Sequence, residues 1–243
     1  MIDISRLVQA QIANWSERDQ TESAFRRPGS FVDRGVAYGP CLLISREYGS
    51  GGGIVARRVG ECLQWNVYDR EIVDHIAQLS QVRQQLVETV DERAQSRWER
   101  TWREILADGD MADEEYLRCL RLVVMSLGHH GQVVIVGRGA QHLLPPACAL
   151  RVRLVASPEL RAKRVAEREK MSLDQARAKI QTFDNERSLF IRRTFKTDAS
   201  AGLNYDLVIN TDEITLESAV QIVLAGISEK LGVRRAKAPN PAG

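Results

Sequence analysis

Apolar residues along this chain gather in short runs, separated by longer stretches with a helical beat. "CLLIS" (41–45), "WNVYD" (65–69), "QVVIVGRGA" (132–140), "ALRVRLVA" (149–156) and "YDLVINTD" (205–212) read as strands. The clearest is the apolar core of the third run, bounded by Gly131 and Gly137. "GGIVARRVGECL" (52–63) places Ile54, Val55, Val59 and Leu63 on one side of a helix. Further helices are expected over 70–106 (as two), 116–131, 157–170, 172–195 and 215–232. Strands of this length alternating with helices predict an α/β fold, a parallel sheet covered on both faces. Ligands in such folds bind at the carboxyl ends of the strands. That rule singles out Arg46 to Gly53, Asp69, Arg138 and Thr211-Asp212.

The flanks are less regular. "ISRLVQAQIANW" (4–15) has helical spacing, "RRPGSFVDRGVAYGP" (26–40) reads as loop, and a polar break falls at "ADGDMADEE". The organisation expected is an extension over 1–39, one domain over 40–232 and a tail over 233–243.

Composition changes this picture little. A chain of 243 residues, 44% apolar and 27% charged, is long enough for one large domain. A net charge of +2 gives no argument for nucleic acid or an anionic membrane. No apolar run approaches the roughly 18 residues that span a bilayer. The N-terminus lacks the pattern of a secretory signal, so a cytoplasmic protein is expected. Cys41, Cys62, Cys119 and Cys148 are scattered, without metal-ligand spacing, and read as buried free thiols.

The candidate chemistry centres on "REYGSGGG" (46–53). Gly49, Gly51, Gly52 and Gly53 let backbone approach a ligand without a Cβ in the way, and the helix behind them points free N–H groups at it. A phosphate-binding loop is the first reading, with Tyr48 and Ser50 completing it. The strict pattern GxxxxGK[ST] is not met, because Arg46 stands at its first glycine, Gly52 at its lysine and Gly53 at its Ser/Thr. A second reading is a dinucleotide turn, since Gly51-x-Gly53-x-x-Ala56 fits GxGxxA and Asp69 ends the next strand. A turn without a ligand is the third.

At these residues the chain resembles the cytidylate kinase-like family, a divergent branch of the P-loop nucleoside monophosphate kinases. "ISREYGSGGGIVARRVGECLQWNVYDREIVDHIA", "VVIVGRGAQHLL", "RVRLVASPELRAKRVAERE", "FDNERSLFIRR" and "YDLVINTDEITLESAVQIV" carry the resemblance over roughly 41–232. It implies a P-loop NTPase-like, three-layer α/β/α fold with a five-stranded parallel sheet and a helical lid at about 161–198. It also implies transfer of the terminal phosphoryl group of ATP, with Mg2+, to a nucleoside monophosphate, CMP or dCMP first. Where the family's loop reads GSGKGT, this chain has Gly52 for lysine and Ile54 for threonine. Asp69 matches an aspartate that opens the monophosphate segment. His75 falls at its arginine, leaving the acceptor phosphate to Arg70. The family's Gly-Arg-Asp becomes Gly137-Arg138-Gly139, so Arg138 matches while the acid that helps to read the base does not. Asp184 and Arg187 match the lid spacing, with Arg192 or Arg193 for its later arginine.

Phosphoryl transfer rests on positioning and charge neutralisation. Arg46, at a strand's carboxyl end, is the nearest cation to replace the missing lysine. Arg164, Arg168 and Arg187 are the lid arginines expected to close over polyphosphate, since 164 and 168 share a helix face. Ser50, Asp69 and Asp212 are available to Mg2+ without a diagnostic spacing. Glu47 either orients Arg46 or repels phosphate. His129-His130 are expected in a turn, Trp98 and Trp102 in packing, and no GxSxG motif suggests a hydrolase. Two alternatives stay open: a nucleotide-binding module with weakened transfer, and a dinucleotide-dependent oxidoreductase. Self-association through the extension is the one macromolecular contact expected.

Overall fold

The computed structural model describes residues 31–33, 36–78, 90 and 111–233. The helix expected at 4–15, the second half of the 70–106 stretch with Trp98 and Trp102, and the tail lie outside these residues.

Five strands form one parallel sheet: β3 (Cys41–Arg46), β4 (Asn66–Tyr68), β5 (Val133–Val136), β6 (Ala149–Val155) and β7 (Leu207–Asn210), in the order β4-β5-β3-β6-β7. A two-stranded antiparallel hairpin, β1 (Phe31–Asp33) with β2 (Val36–Tyr38), precedes it. The sequence pattern over 26–40 reads as loop, because its glycines and prolines mask a short strand pair. Val36 and Tyr38 are buried with Cys41 in one core cluster, so the domain's packing begins before residue 40.

Alternation along each strand builds three layers. Cys41, Leu43, Val133 and Ile135 face a cluster with α2 (Arg70–Gln78) and α3 (Met111–His130). Leu42, Ile44, Val134 and Val136 face the opposite one, with α1 (Gly52–Leu63) and α6 (Leu216–Leu231). Residues i and i+2 of a strand share a face, so a continuously apolar strand is what a sheet covered on both sides requires. Two more helices, α4 (Pro158–Glu169) and α5 (Leu173–Phe195), pack on each other beside the carboxyl end of the sheet. Ser157 caps α4, and Ser172 with Gln175 forms a capping box at α5.

The strand and helix limits follow the sequence pattern within a residue or two, except that β5 ends at Val136 instead of running to residue 140 and α3 starts at Met111, inside the expected polar break. His129 and His130 belong to its last turn, where His129 Nδ1 lies 2.7 Å from the Ala37 carbonyl oxygen. Cys41, Cys119 and Cys148 are buried, and none of the four cysteines is in a disulfide. No described helix is long and apolar enough to cross a membrane.

Candidate active site

β3 is central, with β5 on one side and β6 on the other, and the chain leaves it through the loop 47–51 into α1. This is the topological switch point of the sheet. The loop is anchored by groups that point away from its mouth. The Glu47 amide donates to Leu154 O at 3.1 Å, and its carboxylate takes Arg153 at 3.4 Å and the Ala156 amide at 3.3 Å. Glu47 is thereby held on the β6 side, rather than against Arg46. The Tyr48 amide donates to Asp184 at 3.1 Å, its hydroxyl donates to Glu169 at 2.6 Å, and its ring stacks on Phe183. The Ser50 hydroxyl donates to Glu47 O at 2.9 Å.

What remains is a set of backbone donors. Gly51 caps α1 with φ 87° and no side-chain bond, and the first turn carries no acidic residue. Among the described residues, the amides of Gly49, Gly51, Gly52 and Gly53 meet no acceptor, whereas those of Ile54 and Val55 both reach Gly51 O. Four free N–H groups at a helix N-terminus form an anion nest with the positive end of the helix dipole behind it. The residues thus fit a polyphosphate.

Beside this nest lies a cavity of about 800 Å³ beneath α5. Arg46, Asp69, Arg70, Arg138 and Arg187 line it, with Tyr48 at the loop and Tyr116, Phe183 and Phe190 as aromatic wall. Arg46 crosses from β3 over Gly52, where a Cβ would stand 2.7 Å from its own Cβ. Its Nη1 reaches the end of β5, 3.3 Å from where a Cβ on Gly137 would be. No carboxylate pairs with it among the described residues. Burial first, then the Arg187 charge, push its pKa down to about 10, against partial support from Asp69, and it stays protonated at neutral pH. Arg187 is likewise lowered, mainly by burial, although Asp184 lies 3.4 Å away. Arg70 lies 3.8 Å from both Asp74 and Glu186. Arg138 pairs with Asp74 and covers the Phe190 ring at 5.2 Å. Asp69 caps α2, accepting the Glu71 and Ile72 amides at 3.1 Å.

Other sequence candidates sit elsewhere. Arg164 donates to Thr211 Oγ1 and O at 2.8 and 3.0 Å, tying the end of β7 to the loop instead of lining the cavity. Arg168 is half exposed over the Tyr48 ring and bonds Glu169. Asp184 is consumed by Tyr48, Arg161 and Arg187, and so latches α5 to the loop. Arg192 is exposed outside the cavity lining, while Arg193 is part of it. His75 does not line the cavity and Arg70 does. Charge density marked these residues, but helix phase decided which of them turn inward. Phe190, Phe195, Tyr116 and Asp74 escaped the sequence reading because nothing in their spacing separates them from core residues.

Among the described residues no three metal-ligating side chains cluster. The threonine position of the family's loop holds Ile54, which is exposed and offers no oxygen to a metal ion. The dinucleotide reading also loses its acid. β5 lies between β3 and β4, so Asp69 is not on the strand next to the loop's own, and its Oδ1 accepts the amides that start α2.

Comparison with known proteins bears on the family and the fold. The chain is 30% identical over 108 residues to a cytidylate kinase of Pyrobaculum islandicum, covering 43% of this chain and 56% of that one. It is 35% identical over 75 residues to a cytidylate kinase of Methanobrevibacter smithii, covering 31% and 44% respectively. The chain thus spans about half the length of the curated relatives it matches. An uncharacterised protein from Eubacterium ventriosum shares the fold, with a TM-score of 0.60 at 19% identity over 78% of this chain and 98% of that one. The model of the cytidylate kinase-like family matches residues 42–213, most of the sheet and both α4 and α5, and the chain belongs to that family.

Proposed function

We propose that the chain transfers the terminal phosphoryl group of ATP, brought as its Mg2+ complex, to a nucleoside monophosphate or another small phosphate-bearing molecule in the cavity. The observation that carries this reading is Arg46, an unpaired arginine that enters the cavity across the glycine standing at the lysine position. The nest of Gly49, Gly51, Gly52 and Gly53 holds the donor phosphates, and Ser50 and Tyr48 keep the loop in shape. Arg46 and Arg187 face the group in transit, while Arg70 and Arg138 face the acceptor.

An acceptor oxygen attacks the terminal phosphorus, the bond from that phosphorus to the bridging oxygen breaks, and ADP leaves with the electron pair. A phosphate oxygen is already deprotonated, so the step needs no general base. Asp69, whose Oδ1 caps α2, is not required for proton transfer. Magnesium brought with ATP would supply charge neutralisation at the donor phosphates; the protein's part is to orient them and to supply guanidinium charge.

ADP release, coupled to a dehydrogenase and measured with CMP, dCMP and a panel of small phosphorylated molecules, tests the proposal. Turnover with any acceptor that Arg46→Ala lowers at least tenfold supports it. Tight ATP binding with no turnover on the whole panel favours the second reading, a nucleotide-binding module, for which the loss of both loop lysine and threonine speaks.

A further inference from the structure

The cavity is poor in groups that read a nucleobase and rich in unpaired cations. Apart from Thr194, its neutral hydrogen-bonding side chains are engaged elsewhere. Ser45 Oγ accepts from Tyr205 at 3.2 Å, the Tyr116 hydroxyl donates to Asp74 at 2.7 Å, and the Gln141 amide turns to Tyr205 and His142. The aromatic faces are taken too. Phe183 stacks on Tyr48 with ring centroids 4.5 Å apart, and the Arg138 guanidinium covers Phe190. A side chain at residue 139, which would point into this wall, is excluded. A Cβ there would come 2.1 Å from Phe195 Cε2, and the residue has φ +66°.

The charges point the other way. Arg46, Arg70, Arg138, Arg187, Arg193 and Lys196 line the cavity against three carboxylates, Asp69, Glu71 and Glu186. Arg46, Arg193 and Lys196 have no hydrogen bond or ion pair through their side chains among the described residues. Arg46 rises from β3 and brings its Nη1 to the end of β5, whereas Arg193 and Lys196 come from the C-terminal end of α5. Two cationic positions supplied by different elements of one cavity match two anionic groups on one ligand, each held by charge-assisted bonds.

We propose that the acceptor is a compact, base-free molecule carrying a phosphate and a second anionic group, a sugar bisphosphate or a phosphorylated acid. This rests on the phosphoryl-transfer reading of the same site. One phosphate or carboxylate oxygen of that acceptor attacks the terminal phosphorus, ADP departs with the electron pair, and no proton changes hands. The second anionic group stays at Arg193 and Lys196.

Calorimetric titration of the full chain with matched probes tests this. Glycerol 3-phosphate is compared with 3-phosphoglycerate, fructose 6-phosphate with fructose 1,6-bisphosphate, and CMP with UMP and AMP. The second anionic group is expected to tighten binding at least tenfold in one pair, while the three nucleotides stay within threefold of one another. In R193Q/K196Q that gain disappears and the singly phosphorylated probe binds within twofold of its original affinity. CMP bound tenfold more tightly than UMP and AMP, no gain in either pair, or no binding of any probe would each overturn the inference. ATP is titrated separately. Failure of ATP to bind removes the kinase reading itself, whereas ATP binding with selective CMP binding removes only this proposal.

Discussion

The stem of Arg46 lies across the Cα of Gly52, so that a Cβ on residue 52 would come within 2.7 Å of Arg46 Cβ and 3.0 Å of its Cδ. The two residues exclude each other's alternatives. A P-loop with the pattern GxxxxGK[ST] has glycine where Arg46 stands and lysine where Gly52 stands. This chain carries the reciprocal pair, and the close approach explains why the two changes go together.

The exchange should therefore be reversible only as a pair. Gly52→Lys alone forces its stem into Arg46 and is expected to cost about 1–3 kcal/mol of stability, the usual range for overpacking. Arg46→Gly alone removes the cation and lowers ADP release at least tenfold, by analogy with loss of one transition-state contact. The double variant Arg46→Gly/Gly52→Lys relieves the clash and restores a cation, so part of both losses returns. A double-mutant cycle on urea midpoints and on kcat checks this. Strictly additive losses would mean that the two positions are independent.

Gly139 makes a sharper structural prediction. Its φ of +66° and the Phe195 ring at 2.1 Å leave no room for a Cβ. Gly139→Ala is expected to destabilise by about 1–3 kcal/mol through backbone strain together with the ring clash. Adding Phe195→Ala relieves only the clash, and the left-handed backbone cost stays. Denaturant titration reads both as midpoint shifts at constant m. A neutral Gly139→Ala would show that the ring moves aside freely.

Fold and site were legible to different depths. Val133–Val136 and Cys41–Arg46 announce themselves because a strand buried on both faces must be apolar throughout. Phe31–Asp33 and Val36–Tyr38 do not, since a short hairpin with one exposed strand has no periodic signature. Of the residues that line the cavity, Arg46, Asp69 and Arg138 follow from the rule of strand carboxyl ends, which depends only on topology, and Arg70 follows from the family resemblance. Arg164 and Arg168 were marked by their shared helix face, and that face turns to Thr211 and Tyr48. Phe195 gave no sequence signal, because its effect depends on which ring α5 sets against Gly139.

Glu169 ties the loop to the two flanking helices and gives that link a pH dependence. Hydrogen bonds from Lys179, then Tyr48 and Arg168, push its pKa down to about 2. A carboxyl lowered on folding contributes stability that is present above its unfolded pKa of about 4.3 and lost as pH falls through the folded value. Melting temperature should accordingly drop between about pH 4.5 and 2 by more in the wild type than in Glu169→Gln, which lacks the titrating group. The two curves converge at the acid end. Parallel curves over that range would show that the Glu169 bonds do not support the fold.

Asp184 is the group through which α5 controls the loop. Its carboxylate accepts the Tyr48 amide at 3.1 Å, an Arg161 N–H, and Arg187 Nη1 at 3.4 Å. Asn has one acceptor oxygen and no charge, so Asp184→Asn cannot satisfy all three donors. It leaves two partly buried guanidinium groups with less compensation. About 2–3 kcal/mol of stability should be lost, the scale for truncating a charged hydrogen-bond partner. Because Tyr48 adjoins the nest, loosening its amide should raise the KM for ATP severalfold. Arg187 remains in the cavity, so kcat at saturating ATP should fall less than it does in Arg46→Ala. Hydrogen exchange at residues 47–51 provides an independent reading, and these amides should exchange faster in the variant while β3 keeps its protection. A change in kcat alone, with KM and loop exchange unaltered, would place Asp184 in the chemistry instead of in the positioning of the loop.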